Sequence, residues 1–255
     1  MNVNQSYIRD VYSMDEVENI GTAKFHNDIY WKKRTVNGIN YRDPDYNCDR
    51  LYNDANNMFF KGELVKDFDP NAKAQIVLLQ GKYRLTTDYI GPSLTSMKRA
   101  GISDRDAWEC TVKCRTLGGH LVWPCLPHGI NPSKAASGKR GYGISDRIDI
   151  ALYELKCVLD KNFDFPTYNK TLRNSILHEE NMNWFNGKSF SQFCKDFYLF
   201  GSFVDEKSNG IIWFSDPIPQ KLNVEVMKCY MNNNLDAIEE RNRIMGRLIK
   251  VGAKS

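Results

Sequence analysis

The chain has 255 residues, of which 42% are hydrophobic and 26% are charged, and this balance is ordinary for a globular protein. Its formal net charge of +4 neither requires nor opposes a nucleic-acid partner. The N-terminal residues are polar, and the longest apolar runs, residues 76–79 and 211–214, are far too short to span a bilayer. Composition therefore predicts a cytoplasmic protein with no membrane partner.

The seven cysteines are scattered along the chain, and no two of them form a Cys-x-x-Cys pair. An odd number of unpatterned cysteines favours reduced, mostly buried thiols over a disulfide framework or a standard zinc site.

The first half of the chain predicts one helix and a hairpin. Residues 51–60 place their apolar side chains on one face of a helix. Residues 74–80 and 83–90 predict two strands, which Gly81-Lys82 joins as a hairpin.

A helix is predicted next over residues 103–116, with Ser103 as its N-cap. We expect Gly118 or Gly119 to end this helix in the left-handed conformation, which glycine adopts at little cost. Residues 120–123 then predict a strand.

The longest irregular stretch, residues 124–143, is called here the basic loop. It carries Lys134, Lys139 and Arg140 and no acidic residue. Long loops inside a domain are usually functional or mobile. Ser145 is the predicted N-cap of the helix that follows the loop.

Toward the C-terminus, residues 167–186 form a polar segment that is rich in asparagine. Residues 189–200 predict a helix with a stripe of phenylalanines. Residues 211–214 predict a strand, and residues 235–250 predict a C-terminal helix.

Interleaved helices and short strands without a regular βαβ rhythm are typical of an α+β fold. We predict a polar N-terminal lead over residues 1–24 and one compact domain over residues 25–255. In that domain a short mixed or antiparallel sheet is packed by several amphipathic helices.

The first candidate site lies where the basic loop meets the next helix. Helix N-termini and glycine-rich turns can hold anions, and arginine binds phosphate in a bidentate manner. Arg147 and Glu154 lie two helical turns apart and therefore share a face. The predicted ligand-binding residues are Gly118, Gly119, Lys139, Arg140, Gly141 and Arg147. The predicted catalytic residues are Asp146, Glu154 and His120.

In this interpretation the arginines hold a nucleotide or nucleic acid, and Asp146 or Glu154 acts as a base or a metal ligand in any hydrolysis. No cofactor is predicted, although the carboxylates are compatible with a divalent metal. The alternative is structural: acidic residues in the first turn complement the helix dipole, and Arg147 forms a salt bridge.

A second hypothesis comes from the sequence Arg173-Asn174-Ser175-Ile176-Leu177-His178. It resembles the Arg–polar–x–x–x–His signature of HEPN ribonucleases, which include toxins and phage-defence effectors. The resemblance implies a metal-independent ribonuclease in which Arg173, Asn174 and His178 act on RNA, with His178 transferring protons and Arg173 stabilising the phosphate. The third hypothesis is a non-enzymatic interaction protein.

Three further segments resemble a bacterial family known only as a domain of unknown function. They are the Gly-Gly-x-apolar-apolar-Trp-Pro sequence of residues 118–124, the Arg140-Gly141 pair, and the Asp-Arg-x-Asp-x-x-Leu-x-Glu sequence of residues 146–154. The resemblance implies one contiguous domain with a site around the basic loop, and it implies no reaction.

Overall fold

A computed structural model describes residues 1–7, 34–36, 39–41, 49–66, 76–78, 84–124, 144, 147–217 and 221–252. The strands of this part are β1 (Arg34–Val36), β2 (Ile39–Tyr41), β3 (Leu64–Lys66), β4 (Ile76–Leu78), β5 (Arg84–Tyr89) and β6 (His120–Pro124). The helices are α1 (Asp49–Phe60), α2 (Leu94–Ala100), α3 (Asp104–Cys114), α4 (Ile148–Leu159), α5 (Lys170–Ile176), α6 (Glu179–Phe185), α7 (Phe190–Asp196) and α8 (Val224–Gly252). A 3-10 turn, Leu117–Gly119, precedes β6.

The strands form a small antiparallel sheet in the order β3-β4-β5-β6, and β1 pairs with β2 in a separate hairpin. The two longest strands, β5 and β6, pair from Leu85 opposite Pro124 to Tyr89 opposite His120. Helices make up more of the described chain than strands do. The predicted mixture of helices and short strands is present. Helices, however, and not a sheet, make up most of the regular structure in the described residues.

Several elements follow from local sequence signals as predicted. Helix α1 ends at Phe60, the predicted end, and begins two residues before its predicted start. Strands β4 and β5 pair antiparallel, as the predicted hairpin requires, with Ile76 opposite Leu85. The predicted turn Gly81-Lys82 lies outside the described residues. Ser103 caps α3, because its hydroxyl oxygen accepts a hydrogen bond from the backbone N–H of Asp106 at 3.1 Å.

Other predicted boundaries are wrong. Helix α4 has Arg147 and not Ser145 as its N-cap. The segment 211–214 is not a strand, since Ile211 makes only an isolated bridge to Val204. Helix α8 begins at Val224, well before residue 235. The polar segment 167–186, for which no element is predicted, contains α5 and α6.

Helix α8 organises the core of the described chain. It has 29 residues and packs against α2, α3 and the 3-10 turn. Its buried face combines apolar side chains such as Tyr230 and Ile238 with three polar ones, Asn234, Arg241 and Asn242. Buried polar groups need hydrogen-bond partners, so these residues identify what α8 holds in place.

Arg241 is 0% exposed and binds backbone carbonyl oxygens. Its Nε and Nη2 donate to the carbonyl of Phe197 at 3.0 and 2.8 Å. Its Nη1 donates to the carbonyls of Gly118 at 2.8 Å and His120 at 2.6 Å. No acidic side chain in the described ranges pairs with it, and burial lowers its pKa to about 9, which leaves it charged at neutral pH. One cation therefore joins α8 to the residue after α7 and to the turn before β6.

The same turn explains the two glycines. The side-chain Oδ1 of Asn242 accepts a hydrogen bond from the N–H of Gly118 at 2.8 Å. A Cβ on Gly118 would lie only 2.6 Å from this oxygen. A Cβ on Gly119 would lie 1.7 Å from the carbonyl oxygen of Cys114. Neither glycine has a positive φ, and the C-cap of α3 is Arg115. The predicted left-handed glycine cap is therefore wrong. Glycine is required at both positions because neighbouring atoms lie too close to leave room for a Cβ.

Two predictions from composition concern cysteines and membrane spans. The described cysteines are free; Cys110, Cys114, Cys157 and Cys194 are buried and Cys229 is exposed. The prediction of reduced, mostly buried thiols holds for these five. No helix in the described ranges has both the length and the apolar character needed to cross a membrane.

We predict that Arg241→Met destabilises the protein by at least about 3 kcal/mol, because three buried carbonyls lose their donor. Arg243→Met is the matched control, since Arg243 is an exposed arginine of the same helix that bonds to Glu240. Urea unfolding of both variants measures the difference. Equal, small effects would show that the carbonyl contacts of Arg241 are not important for stability.

Candidate functional site

The structure describes only part of the predicted site. Lys139, Arg140, Gly141 and Asp146 lie outside the described residues. The candidates that it describes are Gly118, Gly119, His120, Arg147, Glu154, Arg173, Asn174 and His178.

Arg147 is 5% exposed, and its guanidinium binds inside the protein. Nε and Nη2 donate to the two carboxylate oxygens of Asp149 at 2.9 and 2.6 Å. Nη1 donates to the carbonyl of Asp216 at 2.6 Å, and Nη2 donates also to that of Ser215 at 3.0 Å. Burial by itself lowers the pKa of Arg147, but the hydrogen bonds and charge of Asp149 outweigh it and raise the pKa.

These contacts use four of the five N–H groups of the Arg147 guanidinium. The fully buried carboxylate of Asp149 also accepts hydrogen bonds from the N–H groups of Ile150 and Phe214. A phosphate could bind Arg147 only by displacing these partners. The structure thus supports the alternative of a salt bridge for Arg147 and gives it no open face for a ligand.

Glu154 is also fully buried, and its partners are internal. Its Oε1 accepts hydrogen bonds from the backbone N–H groups of Tyr168 at 2.7 Å and Asn169 at 2.8 Å. Its Oε2 accepts one from Nε of Arg173 at 2.5 Å. A carboxylate with three donors and no exposed surface is poorly suited to act as a base on a ligand or to bind a metal. Glu154 therefore anchors the segment that leads into α5.

The Arg173–His178 motif is divided between two elements. Arg173 lies in α5, is buried, and pairs with Glu154, while its Nη2 donates to the carbonyl of Pro166 at 3.2 Å. Helix α5 ends at Ile176, and His178 is the N-cap of α6. Asn174 and His178 are exposed. The arginine of the motif points inward while its other two residues face solvent.

His120 lies at the start of β6 and is 1% exposed. Its Nδ1 lies 2.8 Å from the carbonyl oxygen of Thr116, which can only accept, so Nδ1 carries the proton. The ring packs edge-on against Tyr7, with 5.7 Å between the ring centroids. Together with Gly118 and Gly119 it belongs to the turn that Arg241 and Asn242 hold, and not to an open pocket.

Helix α4 is therefore the centre of two buried ion pairs. Asp149 holds Arg147 and the backbone at Phe214, and Glu154 holds Arg173 and the backbone before α5. The arrangement fixes two distant segments to α4. Chemically, it stabilises the fold and offers no free acid, base or cation at these positions.

Sequence reasoning did not identify Asp149 as the partner of Arg147, and it did not predict that Arg241 and Asn242 are buried. One signal was available, since Asp149 follows Arg147 by two residues at a helix start. A second was the presence of Asn234, Arg241 and Asn242 on the apolar face of the C-terminal helix. Polar residues on such a face indicate buried hydrogen bonds.

A metal centre is not formed within the described ranges, where no group of three or more histidine, cysteine or acidic residues is placed to bind an ion. Cys110 and Cys114 lie with their sulfur atoms 3.9 Å apart. The hydrogen bond between them, followed by burial, raises the pKa of Cys110 well above its ordinary value. The raised pKa favours the protonated thiol of Cys110 over the thiolate form that metals bind.

Over residues 24–245 the chain matches the model of a family that is described as a family of unknown function, DUF6994. The resemblance to an uncharacterised family is thus confirmed. No curated protein and no solved structure matches the chain.

We predict that Arg147→Met lowers the free energy of unfolding by about 3–5 kcal/mol, because it leaves the Asp149 carboxylate buried without its cation. The double variant Arg147→Met/Asp149→Leu should recover part of that loss. Arg105→Met removes the exposed pair with Glu109 and should cost at most about 1 kcal/mol. A loss for Arg147→Met as small as that of the control would argue against a structural role.

Proposed function

The chain belongs to the family of unknown function DUF6994, and from its own residues we propose that it binds a phosphate-bearing ligand through the basic loop. The ligand class is a nucleotide or a nucleic acid. We propose binding without catalysis by the buried groups around α4, in a cytoplasmic protein whose residues 25–255 form one α+β domain with helices packed on its sheet.

The observation that carries this proposal is the charge of the basic loop. Lys134, Lys139 and Arg140 follow one another with no acidic residue in between, and Gly138 and Gly141 flank the last two. Cations without acidic neighbours attract phosphate, and glycines allow a ligand to approach the backbone closely.

The buried ion pairs support the same assignment indirectly. Arg147 and Arg173 were the described arginines predicted to bind phosphate, and each is paired with a buried carboxylate. Their charges are therefore neutralised by Asp149 and Glu154. Among the predicted phosphate ligands, Lys139 and Arg140 then carry the proposal.

Binding is favoured over hydrolysis because the described candidates for acid–base work are enclosed. Glu154 accepts three internal hydrogen bonds, and His120 is buried against Tyr7. General acids and bases must come within hydrogen-bond reach of the reacting atoms. We do not propose the ribonuclease activity, since Arg173 binds Glu154 and His178 is exposed beyond the end of α5.

We predict that Lys139→Ala/Arg140→Ala weakens binding of a fluorescent oligothymidine of about 12 nucleotides by on the order of tenfold. The slope of log affinity against log salt should fall by about 1.4, because two phosphate contacts to a single strand are lost. Fluorescence anisotropy between about 50 and 200 mM salt measures both quantities, and competition by ATP tests a mononucleotide.

Lys98→Ala/Arg99→Ala is the matched control, since it also removes one lysine and one arginine, and both are exposed in the last turn of α2. Its affinity and salt slope should equal those of the wild type. An equal loss in both double variants would mean that only net charge matters. That result, or a wild-type protein that binds neither probe, would overturn the proposal.

A further inference from the structure

The chain contains three Asn-Gly dipeptides, which begin at Asn37, Asn186 and Asn209. In such a dipeptide the glycine nitrogen can attack the asparagine side chain, because glycine has no Cβ to obstruct the approach. The first pair lies outside the described residues. In the other two the asparagine has a left-handed backbone, with φ of 48° and 53°. Sequence and backbone conformation are thus nearly the same, but the surroundings of these two pairs differ.

The pair Asn186-Gly187 is open to solvent. It directly follows α6, and both residues are exposed. The N–H groups of Asn186 and Lys188 donate to carbonyls of α6 at 3.0 Å each, but no hydrogen bond among the described residues uses the N–H of Gly187. Apart from its chain neighbours, no described residue comes within 4 Å of where a Cβ on Gly187 would lie. The attacking nitrogen and the side-chain amide therefore have room to meet.

The pair Asn209-Gly210 is enclosed. The N–H of Gly210 donates to Oγ of Ser208 at 3.2 Å, and its carbonyl accepts from the N–H of Asp205 at 2.8 Å. Ser208 is itself held, since its Oγ donates to the Asp205 carboxylate at 2.6 Å. The side-chain Oδ1 of Asn209 is buried. The nitrogen that attacks in this reaction is thus held by a hydrogen bond, and the amide is partly enclosed.

The reaction of an Asn-Gly pair needs no enzyme and no co-reactant except water. The glycine nitrogen gives its proton to solvent and forms a bond to Cγ of asparagine, while the Cγ–Nδ2 bond breaks and ammonia leaves with a proton from water. Water then opens the cyclic imide at either carbonyl, which gives aspartate or isoaspartate. A hydrogen bond from the glycine N–H slows the first step, because it must break before the nitrogen is deprotonated.

We propose that Asn186 is a site of spontaneous deamidation and that the fold protects Asn209 from the same reaction. The two pairs differ in exposure and in the hydrogen bonding of the glycine N–H, and both differences favour reaction at Asn186. This inference is independent of the proposed function, because it uses no residue of the basic loop.

Deamidation changes the connection between α6 and α7. Asn186 is the C-cap of α6, and its left-handed conformation brings the N–H of Lys188 to the carbonyl of Phe185 at 3.0 Å. Aspartate tolerates this conformation, as asparagine does. Isoaspartate continues the main chain through its side chain and adds a methylene group to the turn. Because the ring of Phe185 packs against that of Phe193 in α7, the longer turn joins two helices whose contact is already fixed.

The test incubates the folded wild type in mildly alkaline buffer and follows deamidation by mass spectrometry of tryptic peptides. Cleavage after lysine and arginine places the two pairs in separate peptides, residues 174–188 and 208–221. Asn186 should react at least about fivefold faster than Asn209, which is the factor that corresponds to one hydrogen bond. In concentrated urea the two rates should become similar, because the fold no longer distinguishes the pairs.

Two variants test the cause and the assignment. Ser208→Ala removes the acceptor of the Gly210 N–H from an exposed position, so deamidation at Asn209 should rise by about fivefold while that at Asn186 stays unchanged. Asn186→Gly is the control, since peptide 174–188 contains three other asparagines. Glycine accepts a left-handed C-cap, so this variant should keep its thermal stability and lose the modification of that peptide.

Several results would overturn the inference. Equal rates at the two pairs in the folded protein, or a faster reaction at Asn209, would mean that the fold does not select Asn186. A folded wild type in which Asn186 stays intact, while urea permits reaction at both pairs, would mean that the turn is protected. An unchanged rate at Asn209 in Ser208→Ala would contradict the protective role of the hydrogen bond to Ser208.

Discussion

The fold depends on a buried arginine, Arg241, whose hydrogen-bond partners in the described part of the chain are carbonyl oxygens. Arg241 joins α8 to the end of α7 and to the turn before β6, over sequence separations of 44 to 123 residues. A buried cation is costly unless it is fully hydrogen-bonded, so the three segments must keep their relative positions for it to remain satisfied. The glycines of the turn and the side chain of Asn242 complete this arrangement.

The same principle operates around α4, where the charges are paired. Asp149 and Glu154 each combine an arginine with backbone N–H groups of a distant segment. Arginines and carboxylates are residue types that bind phosphate or catalyse its chemistry in many proteins. In these two ion pairs they hold loops in place. They hold Tyr168 and Trp213 beside Tyr153, and they leave Lys139 and Arg140 as the residues of the proposed phosphate site.

Sequence reasoning succeeded where the signal is local. Ser103 caps α3, and the apolar run at Ile76 pairs with the next strand, because capping and alternation act over a few residues. It failed where the cause is distant. Glycine at 119 is required by the carbonyl of Cys114 within a turn that α8 holds, and Arg147 is occupied by carbonyls 68 and 69 residues away. The resemblance to an uncharacterised family was predicted from contiguous segments of sequence, whereas burial of the candidate residues is a tertiary property.

Buried Arg147 and Arg173 serve the fold, whereas Lys139 and Arg140 of the basic loop are the residues proposed to bind the ligand. Arginine Nε–H signals in a two-dimensional ¹⁵N NMR spectrum report this directly when the oligothymidine is titrated in. We expect the signal of Arg140 to move, while those of Arg147, Arg173 and Arg241 keep their positions and their slow exchange with water. A shift of the Arg147 or Arg173 signal that saturates with the ligand, with Arg140 unchanged, would contradict the account.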